Sequence, residues 1–291
     1  LKHQLLPKKS SKKFLKLLKI VPILIFLVLF SCKEEKNSTA SKQLEALIAA
    51  YQDHEGYDKT LYPLGFFTKE YYKAEAEFAS SKLKELSQID EENLTETEQI
   101  SLDLLKFVLQ DQVDYYEFEG YLNPLLSDDS FHNSLTYEVR PLANYGQVKE
   151  YLKKLNAIPE FVNQNLVNLR KGLQKGLSQP FVIYNGYEST YNDHIVAQYD
   201  DSFYYSPFNS LPADITDSQK DSVLRAAKEA IEKSVVPQFE IIKDFFETEY
   251  LPKTRRTLGA SDMPNGDAYY QNRINFYTTS DQYTAEDIHQ I

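Results

Sequence analysis

Cysteine is nearly missing from this chain. A single one, Cys32, stands among 291 residues, which excludes an internal disulfide and any thiolate cluster around zinc. Nine glycines fall well short of the usual ~7% of residues, too few for a glycine-rich phosphate loop or a turn-heavy barrel. Tryptophan is absent. Basic residues are in deficit, 32 Lys and Arg against 43 Asp and Glu for a net charge of −11, so the chain lacks the clustered cations that nucleic-acid binding requires. Long apolar runs are missing too. The longest, Ile20 to Phe30, is broken by Pro22 and falls short of the ~20 residues of a bilayer-spanning helix. What is present is bulk, 22 Tyr and 17 Phe within 42% apolar residues. That is enough for a substantial core.

Residues 1–31 read as a lipoprotein signal peptide. Seven lysines (2, 8, 9, 12, 13, 16 and 19) and no acid precede the short apolar run, the layout of a secretory signal. The run closes on Leu29-Phe30-Ser31-Cys32, which resembles a bacterial lipobox and predicts Cys32 as the lipid-attachment residue. Multiple acyl chains at one residue give stable anchoring. Residues 32–42 then form a lipidated polar tether, and its Glu34-Glu35 pair resembles the export signal of surface-displayed lipoproteins. The expected location is the envelope of a Gram-negative bacterium, lipid-anchored at the outer membrane and exposed at the surface.

From residue 43 to 291 the spacing predicts an all-α, multi-helix domain. Leu44, Leu47, Ile48 and Tyr51 make one helical stripe ending near Gly56. Thr68 is placed to cap a second helix reaching about Ile89. Thr95 with Glu98, Thr216 with Gln219 and Thr284 with Asp287 have capping-box spacing. Residues 120–146 lack a sustained period and read as a long structured loop. Helix resumes at Val148, and Pro159 is expected in the first turn of a separate helix that runs to Gly176. Pro237 should kink a long helical stretch after Thr216. The last helix has scarcely begun at Ile291 and the chain starts at Leu1, which predicts a reading frame longer than this sequence and an apolar face left uncovered.

Chemistry-bearing residues are scattered. His54-Glu55 opens like a zinc-peptidase motif, but Asp58 replaces the second histidine and Gly56 disfavours a helix, so a solvated helix end is expected there. Asp128, Asp129 and His132 lie together on the long loop, where a histidine can serve as ligand or base. Asp193-His194 and Glu286-Asp287-His289 are weaker groupings. No Gly-x-Ser-x-Gly turn is present. Six tyrosines between 184 and 205 could stack on sugars or line a peptide groove; amphipathic packing is the commoner use.

Several segments are familiar in order: Phe131-His132-Asn133, Tyr151 to Pro159, Leu169-Arg170-Lys171-Gly172, Glu249 to Arg255, Met263-Pro264-Asn265-Gly266 with Tyr269-Tyr270, Tyr277-Thr278-Thr279, and Thr284 to His289. The series resembles the bacterial domain-of-unknown-function family eight-eight-five, a group akin to zincin-like metallopeptidases. The resemblance implies a lipid-anchored zinc-dependent peptidase of which this chain is the amino-terminal, non-catalytic half. Zinc and its ligands would belong to a later His-Glu-Gly-x-Pro-Gly-His-His motif, leaving no catalytic, cofactor or metal residue here, and a peptide would be the partner of the complete protein. His132, Tyr277 and His289 are the candidate cleft residues. The alternative is a surface or periplasmic lipoprotein that binds peptide or glycan without catalysis.

Overall fold

Several helices begin where the sequence offers a side-chain oxygen to their first free N–H groups. Thr95 accepts from the Glu98 N–H at 3.4 Å while Glu98 accepts from the Thr95 N–H at 2.7 Å. Thr216 and Gln219 repeat this exchange at 3.3 and 2.9 Å, and Thr284 and Asp287 at 3.2 and 2.8 Å. Thr68 accepts from Tyr71 N at 3.2 Å. Such caps satisfy donors that the helix itself leaves orphaned.

The computed structural model describes residues 38–125 and 130–290; the segment expected to be a signal peptide, Cys32, Asp128 and Asp129 lie outside the described residues. The helices are α1 (Thr39–Gln52), α2 (Lys69–Leu86), α3 (Glu96–Glu117), α4 (Tyr145–Gln174), α5 (Ser189–Asn192), α6 (Asp217–Ala230), α7 (Val236–Asp244), α8 (Gly266–Thr278) and α9 (Ala285–Gln290). Short 3₁₀ segments join them, including Gly120–Leu122 and Asn133–Glu138 in the long loop. Among the described residues there is no β-strand, only an isolated bridge between Leu125 and Ser130. The protein is all-α. Among the same residues no helix is long and apolar enough to cross a membrane.

Two cores hold the chain. The smaller joins α1, α2 and α3 through Leu44, Leu47, Ala79, Leu86, Leu102, Leu105 and Leu109. The larger surrounds α4, which buries Val148, Tyr151, Leu155, Ile158, Val162, Leu166 and Leu169. Against it pack the tyrosines of 184–205 and a helical rod from α6 to Lys253.

The helix α4 corrects one expectation. It runs unbroken through Pro159, so Pro159 does not open a second helix. Proline forfeits one backbone hydrogen bond and crowds the preceding turn, but the buried face continues on both sides of it. At Pro237 the helix changes character. A π-helical segment, Ile231–Val235, lies just before it and α7 restarts with Pro237 in its first turn. A second π segment, Phe245–Tyr250, follows α7.

The two cores are sewn together by α4. Gln164 accepts from the Phe67 N–H at 2.7 Å and Asn168 donates to the Phe67 carbonyl at 2.6 Å, so two buried amides one turn apart satisfy both backbone groups of a single loop residue. Farther along, a Cβ on Gly172 would lie 2.3 Å from the Leu122 carbonyl oxygen. Only glycine lets the 120–122 segment approach α4 so closely. That contact sets one wall of a cleft.

Candidate functional site

The cleft has a volume of about 850 Å³. Its first wall is the end of α3 and the chain just after it: Tyr115, Glu117, Phe118, Glu119 and Asn123 to Leu125. Phe131, Ser130 and Ser134 of the long loop and Phe161 and Asn165 of α4 form the floor. The opposite side is Arg255, Leu258, Ala260 and Met263 to Asn265, followed by Tyr269, Arg273 and Tyr277 of α8. Aromatic faces thus alternate with charges of both signs, a composition suited to holding an organic ligand in one orientation.

The sequence builds the far wall through a tight turn. Asn265 adopts a left-handed conformation (φ 56°), which asparagine tolerates better than most residues. A Cβ on Gly266 would sit 1.9 Å from the Ala260 carbonyl oxygen. Pro264-Asn265-Gly266 therefore presses the 260–262 segment onto the start of α8. Arg255 fastens the same loop, donating from Nε to the Ser178 carbonyl at 3.0 Å and from Nη1 to Thr257 and Gly259 at 2.9 and 2.7 Å. Burial holds this guanidinium below its ordinary range against the opposing pull of Asp262 and Tyr250.

The two other cations of the lining are paired. Lys175 grips both oxygens of Glu119 at 2.5 and 2.7 Å, and Glu119 is itself left-handed (φ 54°). Arg273 reaches Asp111 at 2.9 Å and lies 4.9 Å over the Phe276 ring. Asn272 ties α8 to Asp114 at 2.6 Å. Burial pushes the Tyr115 phenol up to about 12, helped by Tyr269 and Asp111. Behind the wall runs a line of hydroxyls: Tyr184 donates to Tyr250 and Tyr250 to Asn123, each at 3.2 Å.

The three candidate cleft residues part company. Tyr277 is 79% exposed and lines the cleft. His289 is exposed on α9, away from the lining. His132 is fully buried. Its Nε2 is 2.9 Å from Thr190 Oγ1, and Thr190 donates to the Tyr187 carbonyl at 2.7 Å. Thr190 has spent its proton, so Nε2–H must donate to it and Nδ1 must accept from Ser130, 3.2 Å away. A serine on the cleft wall thus faces a histidine, as in nucleophilic catalysis. The resemblance to a triad stops there. Among the described residues no carboxylate is hydrogen-bonded to the imidazole, and burial followed by His194 pushes its pKa down to about 3, leaving it a poor base near neutrality. The set holds the Ser130 side chain within the lining of the cleft.

Two further histidines, His54 and His194, pack against aromatic rings. His54 is not a solvated helix end: its ring stacks on Phe78 at 3.7 Å and its Nε2 lies 2.8 Å from Glu75 Oε1. His194 is enclosed by Phe203, Tyr204 and Phe239. Among the described residues no group of three His, Cys, Asp or Glu could hold a metal ion. The described residues alone do not fit the zinc that the resemblance implies. The tyrosines of 184–205 are mostly core, with Tyr184, Tyr187, Tyr191, Tyr204 and Tyr205 all at or below 8% exposure.

The sequence matches the family described as "Bacterial protein of unknown function (DUF885)" over residues 50–291. The chain belongs to this family. Its fold is similar to that of "the putative lipoprotein from Colwellia psychrerythraea", with a TM-score of 0.65 at 14% identity, over 87% of this chain and 46% of the other. This DUF885 chain therefore spans about half the length of that protein, and the likeness concerns fold alone. No curated protein matches the sequence. The cleft charges Arg255, Lys175 and Glu119 carry no distinctive spacing. Gly172 and Pro264-Asn265-Gly266 are recognisable in sequence, and their task is the close approach that shapes the walls.

Proposed function

We propose that this DUF885 chain is the substrate-holding part of a lipid-anchored, zinc-dependent peptidase of the bacterial envelope, with the metal ligands supplied from outside these residues. The observation that carries this proposal is the cleft, whose aromatic faces and oriented charges suit the alternating apolar and polar surface of a peptide. The family's likeness to zincin-like peptidases supports the reaction class. The Colwellia lipoprotein and the run Leu29 to Cys32 support anchoring through Cys32, and Glu34-Glu35 supports display at the outer membrane. Replacing Cys32 with Ala should abolish acyl labelling and release the protein from the membrane fraction; retention would mean that Ile20–Phe30 is itself the anchor.

The test of the cleft is calorimetric titration of N-acetylated tri- to pentapeptides, and separately of glycan oligomers, into the full chain. Peptide binding that weakens in the Tyr115→Ala and Phe118→Ala variants is expected, with zinc well below one equivalent in the same samples. Failure to bind peptides, or a full equivalent of zinc bound by these residues, would overturn the proposal. A non-catalytic binding lipoprotein is the second interpretation, favoured by the lack of a metal-ligand cluster among the described residues. Saturable binding of glycans alone would support it.

A further inference from the structure

Charge matching in the cleft has one cationic exception. Lys175 is neutralised by Glu119 and Arg273 by Asp111. Arg255 also lines the cleft but forms no ion pair among the described residues; its side-chain acceptors are three backbone carbonyls, those of Ser178, Thr257 and Gly259. Those carbonyls use Nε and Nη1, and Nη2 has no hydrogen-bond acceptor among the described residues. They also hold the guanidinium at a fixed angle, so a ligand meets an oriented donor instead of a flexible one. Burial disfavours this half-buried cation and Asp262 offsets only part of that cost, so an anion bonded at Nη2 is favoured.

We infer that Arg255 is the anchor for a carboxylate, and that the peptide in this cleft is held by its free carboxyl end. This rests on the peptide-binding proposal above and adds polarity to it. Leu177, Leu258, Met263 and Pro264 line the cleft in the same neighbourhood, so the carboxylate should be attached to an apolar residue. Glu117 at the α3 end is likewise outside any ion pair among the described residues, an acid that would draw an ammonium group instead. N-acetylated probes remove that second attraction from the measurement.

The experiment compares N-acetyl-Ala-Phe with its carboxamide, titrated into the full chain in low and high salt, with inorganic phosphate as a third ligand. The free acid should bind about tenfold tighter than the amide, the ratio given by one charge-assisted hydrogen bond, and the gap should narrow in salt. In Arg255→Met the two forms should bind alike; Arg255→Lys, which keeps the charge, should keep part of the preference. Arg256→Met, whose guanidinium lies on Phe181, serves as a control and should leave the ratio unchanged. Equal binding of acid and amide by the unmodified chain would overturn the anchor while leaving the peptide proposal standing. A preference that survives in Arg255→Met would place the anchor elsewhere and also overturn it. If neither form binds, the peptide proposal falls and the anchor with it. Phosphate binding as tightly as the acid and displacing it would identify a general anion site, not a carboxyl-end site.

Discussion

The two cores bury side chains of different chemistry. The small core of α1, α2 and α3 is almost wholly aliphatic, with leucines at helical spacing and no fully buried phenol among its members. The large core mixes aliphatic residues with Tyr151, Tyr184, Tyr187, Tyr191, Tyr204, Tyr205 and Tyr250. Each phenol there carries a polar tip that wants a partner. Tyr151 finds the Tyr204 carbonyl at 2.8 Å and Tyr191 reaches Glu247 at 3.4 Å, whereas the Tyr204 hydroxyl has no hydrogen-bond partner among the described residues. An aliphatic core asks only for volume. An aromatic, hydroxyl-bearing core also fixes orientation, and one of its hydroxyl chains ends at Asn123 on the cleft wall.

The contrast makes graded predictions. Phe246 is fully buried and its ring lies near His132, Tyr184, Tyr187, Tyr191 and Tyr250. Phe246→Ala should cost about 3–5 kcal/mol in urea denaturation and also weaken ligand binding in the cleft. Leu105→Ala in the small core should cost about 2–5 kcal/mol and leave binding unchanged; equal effects of both variants on binding would dissolve the distinction.

Acid should act on the large core first. His132 has a folded pKa of about 3, lowered by burial from an ordinary value of 6.5, and burial lowers His194 as well. Between those pH values the unfolded chain takes up a proton that the folded chain refuses. His132's contribution is therefore complete above pH 6.5 and is lost as the pH falls towards 3, with a slope of up to about 1.4 kcal/mol per pH unit. Urea midpoints at pH 4 to 7 should show this slope, and His132→Asn should flatten it while lowering stability overall. A slope unaltered in the variant would assign it to other groups.

Caps are expected to matter less. Thr95→Ala should cost about 1 kcal/mol and Thr216→Ala the same, read as a shift in thermal midpoint. Smallest of all is the Arg170–Glu249 pair, joined at 2.8 and 2.6 Å. It links α4 to the helical rod, but both side chains are more than a third exposed, so solvent screening should limit Glu249→Gln to about 0.5 kcal/mol.

The same contrast explains what the sequence could convey. Leucines recurring at three and four residues disclose the small core directly, and Thr95, Thr216 and Thr284 mark helix starts because capping is local chemistry. Pro159 misleads because tertiary burial along α4 outweighs a local penalty. The tyrosines between 184 and 205 have no simple period, since their placement depends on partners such as Glu247, Tyr250 and Phe246 that lie some fifty residues or more away in sequence. The cleft is less legible still. Gly172 and Gly266 announce close approaches but not what approaches, and Arg255 becomes distinctive only once its neighbours' charges are seen to be matched.

Hydrogen–deuterium exchange of the full chain, with and without N-acetyl-Ala-Phe, tests the account most directly. A peptide-holding cleft predicts slower exchange in two separated segments at once, residues 115–125 and 255–269, with the small core unchanged. Protection confined to the exposed apolar stripe of Ile100, Leu104 and Val108, or no protection at saturating peptide, would contradict it.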